Sequence, residues 1–365
     1  MGSEKRVCCS LGVWGAFFLL LQLVQLATSQ TDCPHPCIKI TECPELLKLL
    51  KNHTQSSINE LRKATCFISG TQPMVCCPKS TTPVVTQPPV DLLPKDCGQG
   101  PLTHRIHGGK ETPIDAHMWM AALGYSADDD SPVQFLCGGS VINERYVLTA
   151  AHCVDSASLG GKSLKVIRLG DWDLSTEEDC EETPQGFKIC APPIQDFTHE
   201  EIIRHPQYNT RAQISDDIAL IRLSRPIVYT GSWIQPICLP PQGLDVKKVS
   251  GQREPLVSGW GFTENGTYSN RKLDVSLPFV DTQICNATYR GEVVPEQICL
   301  GGRAGQDSCR GDSGGPLVVA GPLGPPYLLI GVVSYGPVNC GQQDYPGIYT
   351  SVSHYKDWIL SNIRP

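Results

Sequence analysis

The chain carries no excess of positive charge: 30 Lys and Arg against 37 Asp and Glu leave a formal net charge of -7 over 365 residues. No basic field draws it to a nucleic acid. It has one long apolar run, Val13 to Leu26, and no other stretch that could span a bilayer. Sustained helical periodicity is missing too. Hydrophobic runs such as Tyr146 to Leu148, Leu256 to Ser258 and Tyr327 to Val333 are short, β-rich and separated by Gly and Pro, which is the spacing of a barrel. Only His354 to Ile363 has helical character, with Tyr355, Trp358, Ile359 and Ile363 on roughly one face.

What stands at the N-terminus reads as an export signal over residues 1–29. Lys5 and Arg6 make a basic start, the apolar run follows, and Ala27-Thr28-Ser29 supplies small residues at a cleavage site. The rival reading, a membrane anchor, is disfavoured because the run is short and interrupted by Gln22 and Gln25. Cys8 and Cys9 leave with the signal, so sixteen of the 18 cysteines remain. An even number in a chain bound for an oxidising compartment reads as disulfides, not zinc ligands. Asn52, Asn265 and Asn286 each open an Asn-x-Thr sequon, which fits secretion and surface positions.

The chemistry centres on Gly311-Asp312-Ser313-Gly314-Gly315-Pro316. A serine hydroxyl is a weak nucleophile and needs a neighbouring base, plus backbone N–H groups aimed at the developing oxyanion. Upstream, His152 lies in Leu148-Thr149-Ala150-Ala151-His152-Cys153 and Asp217 in Asp216-Asp217-Ile218-Ala219-Leu220. His, then Asp, then Ser is one of the known chain orders for this triad. Singly, a Gly-Asp-Ser-Gly is often a turn and a histidine is often structural. Three signatures in the right order are far more specific than any one of them.

Together these motifs resemble the chymotrypsin-like serine proteases over about Ile106 to Pro365, which implies an all-β fold of two six-stranded antiparallel barrels with a C-terminal helix. The resemblance implies His152, Asp217 and Ser313 as catalytic residues, and the N–H groups of Gly311 and Ser313 as the oxyanion hole. It places Asp307, six residues before Ser313, at the floor of the primary pocket. A buried carboxylate without a partner is costly, so that pocket selects a substrate cation. Gly336 and Gly347 match the pocket walls and Ser334-Tyr335-Gly336 the strand that pairs with substrate backbone. His104-Arg105-Ile106-His107-Gly108-Gly109 resembles an activation site: cleavage after Arg105 frees the α-amino group of Ile106 to pair with Asp312. The cleaving enzyme is then another trypsin-like protease, or this one.

Before that region, Cys33, Cys37, Cys43, Cys66, Cys76 and Cys77 crowd a segment too short to bury much core, so three bridges must supply what burial cannot. Spacing alone leaves all connectivities of six cysteines open. The ending Cys76-Cys77-Pro78 and the spread resemble the clip domain of arthropod proteases, which implies Cys33 with Cys76, Cys37 with Cys66 and Cys43 with Cys77. For the protease region the resemblance implies Cys137 with Cys153, Cys285 with Cys299, Cys309 with Cys340, a tether from Cys97 to Cys238, and a local bridge from Cys180 to Cys190 across an inserted loop. Pro83, Pro88, Pro89 and Pro94 mark an extended linker. The expected organisation is signal 1–29, clip domain 30–78, linker and activation segment 79–105, and protease domain 106–365.

The loop from Gly170 to Cys180 is dense in hard oxygen donors. Asp171, Asp173, Thr176 and Asp179 are the expected ligands of a structural calcium, a solvated acidic loop being the alternative. No cofactor is expected for catalysis. The whole reads as a secreted zymogen of an Arg/Lys-specific endopeptidase in an extracellular cascade, with melanisation or Toll-ligand processing as the implied setting. Its implied partners are protein substrates, an upstream trypsin-like activator and a serpin inhibitor, with neither nucleic acid nor membrane. A non-enzymatic clip-domain adaptor is the rival, disfavoured because Ser313 is intact; a free digestive trypsin leaves the clip domain unexplained.

Overall fold

The computed structural model describes residues 33, 37–50, 55–69, 72–77, 92–101, 110–182, 185–251, 253–321 and 324–365. The signal segment, most of the linker, Asn52, Arg105 and Ile106 lie outside them. The chain divides into a unit of residues 1–90 and a unit of residues 91–365.

In the first unit, helices Pro44–Leu50 and Gln55–Ala64 accompany a three-stranded antiparallel sheet in the order Ile38–Lys39, Gln72–Val75, Thr65–Ser69. Among the described residues its buried cluster is Cys43, Leu46 and Val75. A core that small leaves stability to the bridges Cys33–Cys76, Cys37–Cys66 and Cys43–Cys77.

The second unit holds two large antiparallel sheets, each closed on itself, and a two-stranded ribbon of Cys180–Glu182 with Lys188–Cys190. The first runs in the order Gln195–Phe197, Ser163–Leu169, Met120–Ser126, Gln134–Val141, Tyr146–Thr149, Ala219–Leu223, His199–Arg204. Its two edge segments are consecutive in the chain, with only Thr198 between them. One bent strand therefore pairs at both edges, and the sheet becomes a six-stranded barrel. Leu123, Tyr125, Leu148, Ile167, Leu169 and Leu220 fill it, each buried completely. Each such side chain contributes about 1.5–3 kcal/mol by leaving water.

The second sheet runs Gln297–Gly301, Pro346–Ser351, Gly324–Tyr335, Pro316–Gly321, Leu256–Gly259, Leu273–Ser276, with the short Lys110–Glu111 at its edge. Chain leaving Leu273–Ser276 closes it. Phe279 bridges Leu300, Val280 N–H donates to the Cys299 carbonyl at 2.9 Å, and Gly301 N–H donates to the Pro278 carbonyl at 2.9 Å. The architecture is thus the expected pair of barrels. The C-terminal helix is Val352–Asn362, and Tyr355, Ile359 and Ile363 pack into the cluster that fills the first barrel.

Two short helices in this unit escape the sequence reading, which gave helical character to the C-terminus alone. Val246–Ser250 starts where Asp245 accepts from Lys248 N–H, and Thr282–Thr288 where Asp281 accepts from Gln283 N–H. Both are too short to show an apolar period, and caps rather than periodicity define them. The Cys285–Cys299 bridge fastens the second to a barrel strand. Among the described residues no helix is long and apolar enough to cross a membrane.

Candidate active site

Strand register brings His152 to Asp217. His152 lies in the 3-10 turn Ala151–Val154 just after Tyr146–Thr149, and Asp217 just before Ala219–Leu223. These strands pair antiparallel with Thr149 opposite Ala219, so the end of one meets the start of the other. The Asp217 carboxylate accepts from the His152 backbone N–H at 2.9 Å with Oδ1 and meets His152 Nδ1 at 2.7 Å with Oδ2. Ser334 Oγ donates to Oδ2 at 2.6 Å, and Thr350 Oγ1 to the Asp217 carbonyl at 2.8 Å. Asp216, the other half of the acidic pair, meets Arg211 instead.

Asp217 is fully buried. Burial opposes its ionisation, but the His152 charge and the hydrogen bonds from His152 and Ser334 outweigh this and hold the carboxyl below its ordinary range. Burial likewise works against a charged His152, and the Asp217 carboxylate overcomes it, so the imidazole is a stronger base than a free one. With Nδ1–H committed to Asp217, Nε2 is the atom left to take a proton.

Ser313 comes from the second barrel, on the loop before Pro316–Gly321. Gly138 N–H of the first barrel donates to the Ser313 carbonyl at 2.7 Å, and Gly314 N–H donates to Val333 at 2.8 Å, so both barrels grip this segment. A Cβ at Gly314 would lie 3.0 Å from Cys153 Sγ, and His152 Nε2 lies 3.6 Å from the same sulfur. Serine loop and imidazole therefore flank one disulfide. The N–H groups of Asp312, Gly314 and Gly315 donate to backbone carbonyls, whereas those of Gly311 and Ser313 have no backbone acceptor among the described residues. Gly311 has φ 98°, a left-handed conformation that turns its amide and is costly for any other residue.

Asp307 and the two wall glycines lie together. Asp307 Oδ2 accepts from Gly341 N–H at 3.2 Å, while Oδ1 is buried without a partner. Burial pushes this carboxyl up to about 6, with amides of Gly341 and Ser308 pulling the other way. A Cβ at Gly336 would come within 3.6 Å of Gly347 Cα. Beside them, Asp312 Oδ1 accepts from Gly261 N–H and Oδ2 from Cys309 N–H, both at 2.9 Å. Burial pushes Asp312 up to about 6 despite these amides. Asp307 and Asp312 both face a cavity of about 660 Å³.

The acidic loop uses most of its oxygens internally. Asp179 Oδ2 accepts from the N–H groups of Trp172 and Asp173, and its Oδ1 from Thr176 Oγ1. Asp173 accepts from Ser175 and Arg271. Asp171 Oδ2 accepts from Arg168 at 3.4 Å, and its Oδ1 is buried without a partner. Desolvation and the neighbouring Asp179 push Asp171 up to about 6. Buried Lys272 offsets part of the charge; desolvation pulls it down to about 8 against the pull of Asp171 and Asp179. Of the four expected ligands, then, only Asp171 keeps an oxygen without a partner; both oxygens of the buried Asp179 carboxylate already accept from protein donors, and among the described residues these carboxylates do not converge as a ready-made metal group. The side chains of Asp173 and Thr176 are turned to protein partners.

The remaining bridges are Cys97–Cys238, Cys137–Cys153, Cys180–Cys190, Cys285–Cys299 and Cys309–Cys340. Asn265 is exposed between Phe262 and Tyr268, while Asn286 is half-buried and accepts from Val293 N–H. The motif reading missed several supports. Thr350 and the Ser334 hydroxyl hold Asp217, and Gly259 and Gly261 make room for the Asp312 carboxylate, where a Cβ would fall 2.2 and 2.4 Å from its oxygens. The Ser258-Gly259-Trp260-Gly261 alternation was the available signal for the glycines.

Comparison with known proteins shows the family. Residues 106–359 match the Trypsin family and residues 33–77 the regulatory CLIP domain of proteinases. The chain is 38% identical to phenoloxidase-activating factor 1 of Holotrichia diomphalia, covering 96% of this chain and 98% of that protein. It is 37% identical to melanization protease 1 of Drosophila melanogaster, covering 95% and 98%. The crystal structure of the Drosophila Grass clip serine protease of the Toll pathway superposes with a TM-score of 0.62 at 36% identity, covering 89% of this chain and 93% of that one. The chain belongs to the trypsin family of serine proteases, among those that carry an N-terminal CLIP domain.

Proposed function

We propose that the protein is a secreted zymogen whose protease domain, once cut after Arg105, cleaves other proteins after Arg or Lys in an extracellular immune cascade. The observation that carries this reading is the unpartnered Asp307 oxygen beneath Gly347. It is a negative charge with nothing to neutralise it, placed where a long cationic side chain would end.

In this reading Ser313 Oγ attacks the carbonyl after the basic residue while His152 Nε2 takes its proton and returns it to the leaving amine. Asp217 keeps the proton on Nδ1 and stabilises the imidazolium. The free amides of Gly311 and Ser313 receive the oxyanion, which is the largest electrostatic gain of the step. No cofactor is needed. The new α-amino group of Ile106 pairs with Asp312, whose buried carboxylate has, among the described residues, only amide partners. Asp171 and Asp179 would hold a structural calcium, which adds counter-charge to the loop and takes no part in the chemistry.

The relatives' names place their own activities in phenoloxidase activation, melanisation and the Toll pathway. By that likeness the substrate here is a proenzyme or cytokine precursor, the activator a trypsin-like protease, and the inhibitor a serpin. Full-length zymogen cut after Arg105 is the material for the test. It should hydrolyse peptides with Arg or Lys before the scissile bond and leave those with Phe or Glu intact, and Ser313→Ala should abolish turnover. Turnover by the Ser313→Ala protein, or no Arg preference, would overturn the reading.

A further inference from the structure

The doubled acid Asp216-Asp217 is only half used by the chemistry above. Asp216 is buried, and its carboxylate gathers partners from three elements. Arg211 grips it as a fork, Nε to Oδ2 at 2.8 Å and Nη2 to Oδ1 at 2.8 Å. Tyr355 of the C-terminal helix donates to Oδ1 at 2.9 Å, and His205 Nδ1 stands 3.6 Å from it. The same guanidinium reaches Glu296, which directly precedes the second-barrel strand Gln297–Gly301, at 3.0 Å. Arg211 thus joins a first-barrel loop to the second barrel through two carboxylates.

That loop is held in a conformation the backbone does not favour. Asn209, Ile214 and Asp216 all have left-handed φ, 57°, 57° and 55°, and Ile214 is β-branched. Side chains fix it. Ile214 N–H donates to Asn209 Oδ1 at 3.0 Å, Gln297 Nε2 donates to the Ile214 carbonyl at 3.1 Å, and Ser215 Oγ accepts from the Arg211 N–H at 3.2 Å. Immediately afterwards Ile218 N–H donates to the Asp216 carbonyl at 2.9 Å, closing a tight turn with Asp217 at its centre. On one side of this turn is a barrel strand; on the other is Asp216. Any rotation at Asp216 is therefore passed directly to the Asp217 side chain.

We propose that Arg211 is a positioning residue for the active site: by forking onto Asp216 and bridging to Glu296 it sets the orientation of the Asp217 carboxylate and registers the His152 side of the cleft against the Ser313 side. It touches no reacting atom and acts through Asp216 and Glu296. The inference rests on the catalytic roles proposed above. A bidentate fork specifies angle as well as distance, which a lysine ammonium does not.

The test uses activated full-length protein with Arg211→Lys, which keeps the charge and loses the fork, and Tyr355→Phe, which removes one Asp216 partner. Rates are normalised to active sites counted by a burst titrant. Arg211→Lys should lower kcat about tenfold per active site with KM for a small Arg peptide within twofold, and Tyr355→Phe should give a smaller loss of the same kind. In a Ser313→Ala background, the downfield proton resonance of His152 Nδ1–H should move or broaden in both variants. Unchanged kcat per site, or an unmoved resonance in the folded variants, would overturn the proposal; a loss seen only as fewer titratable sites would mark Arg211 as merely structural and overturn it equally. If the parent shows no hydrolysis, the proposed function fails, and the resonance still decides the role of Arg211.

Discussion

A Cβ on Gly347 would sit 3.2 Å from Asp307 Oδ1 and 3.1 Å from the Tyr349 hydroxyl. Space over the pocket floor therefore exists only because residue 347 has no side chain. Gly347→Val should exclude a long basic residue without touching the His152–Asp217 pair. Asp307→Ser should remove the charge that such a residue meets. Truncating one partner of a buried charge pair costs about 2–5 kcal/mol, or roughly 30- to several-thousand-fold in kcat/KM for Arg substrates. Steady-state kinetics with Arg and Phe peptides check both; retained Arg selectivity in Asp307→Ser would show that the cation binds elsewhere.

The raised Asp307 pKa sets a pH dependence with a definite sign. A cationic amidine binds the carboxylate and not the acid. Its apparent Kd should be flat above about pH 6 and rise roughly tenfold per pH unit below it, while the ligand stays protonated. For stability the sign reverses, because a folded-state pKa above the unfolded value of 3.8 means the ionised form destabilises the empty pocket. That penalty is complete above about pH 6 and vanishes below about pH 4. Asp307→Asn should therefore raise Tm at pH 8 and leave it unchanged at pH 3.5, as calorimetry of the ligand-free protein would report.

The parts of the site legible in the sequence are those with local signatures. Leu148 to Cys153, Asp216 to Leu220 and Gly311 to Pro316 each announce one catalytic residue within six positions. What holds them is long-range. Ser334 reaches Asp217 across 117 residues and Thr350 across 133. The Asp171 loop finds its counter-charge in Lys272, which directly precedes the strand Leu273–Ser276 of the other barrel. No window of sequence contains both ends of such contacts. Barrel closure was hidden for the same reason: it depends on a single strand bending at Thr198 and on Phe279 meeting Leu300.

The segment bearing Cys97 is bound to the protease unit by more than its bridge to Cys238. Gly98 N–H donates to Pro236 at 2.8 Å, Tyr327 N–H to Gly98 at 2.7 Å, and Asn143 Nδ2 to Leu92 at 2.9 Å. Cleavage after Arg105 should therefore yield two chains that migrate as one under denaturing, non-reducing conditions and separate only with reductant. Arg105→Gln should leave the protein uncut by trypsin-like activators and nearly inactive. Full activity of the uncut protein would sink the zymogen reading.

The acidic loop gives the last prediction. Asp171 and Asp179 are two buried carboxylates whose mutual repulsion is only partly offset by Lys272 and Arg168, and one Asp171 oxygen has no donor. A hard divalent cation taking that oxygen would relieve the repulsion in the folded state alone. Binding to the folded state stabilises it by about 2.7 kcal/mol when calcium is a hundredfold above Kd. Calcium should thus raise Tm relative to chelator and slow nicking beside exposed Lys188, which lies within the loop closed by Cys180–Cys190. Asp171→Asn combined with Asp179→Asn should erase the difference by removing both charges. Equal Tm and equal nicking of the parent protein with and without calcium would mean that Lys272 and Arg168 already suffice, and that the loop is acidic without being a metal site.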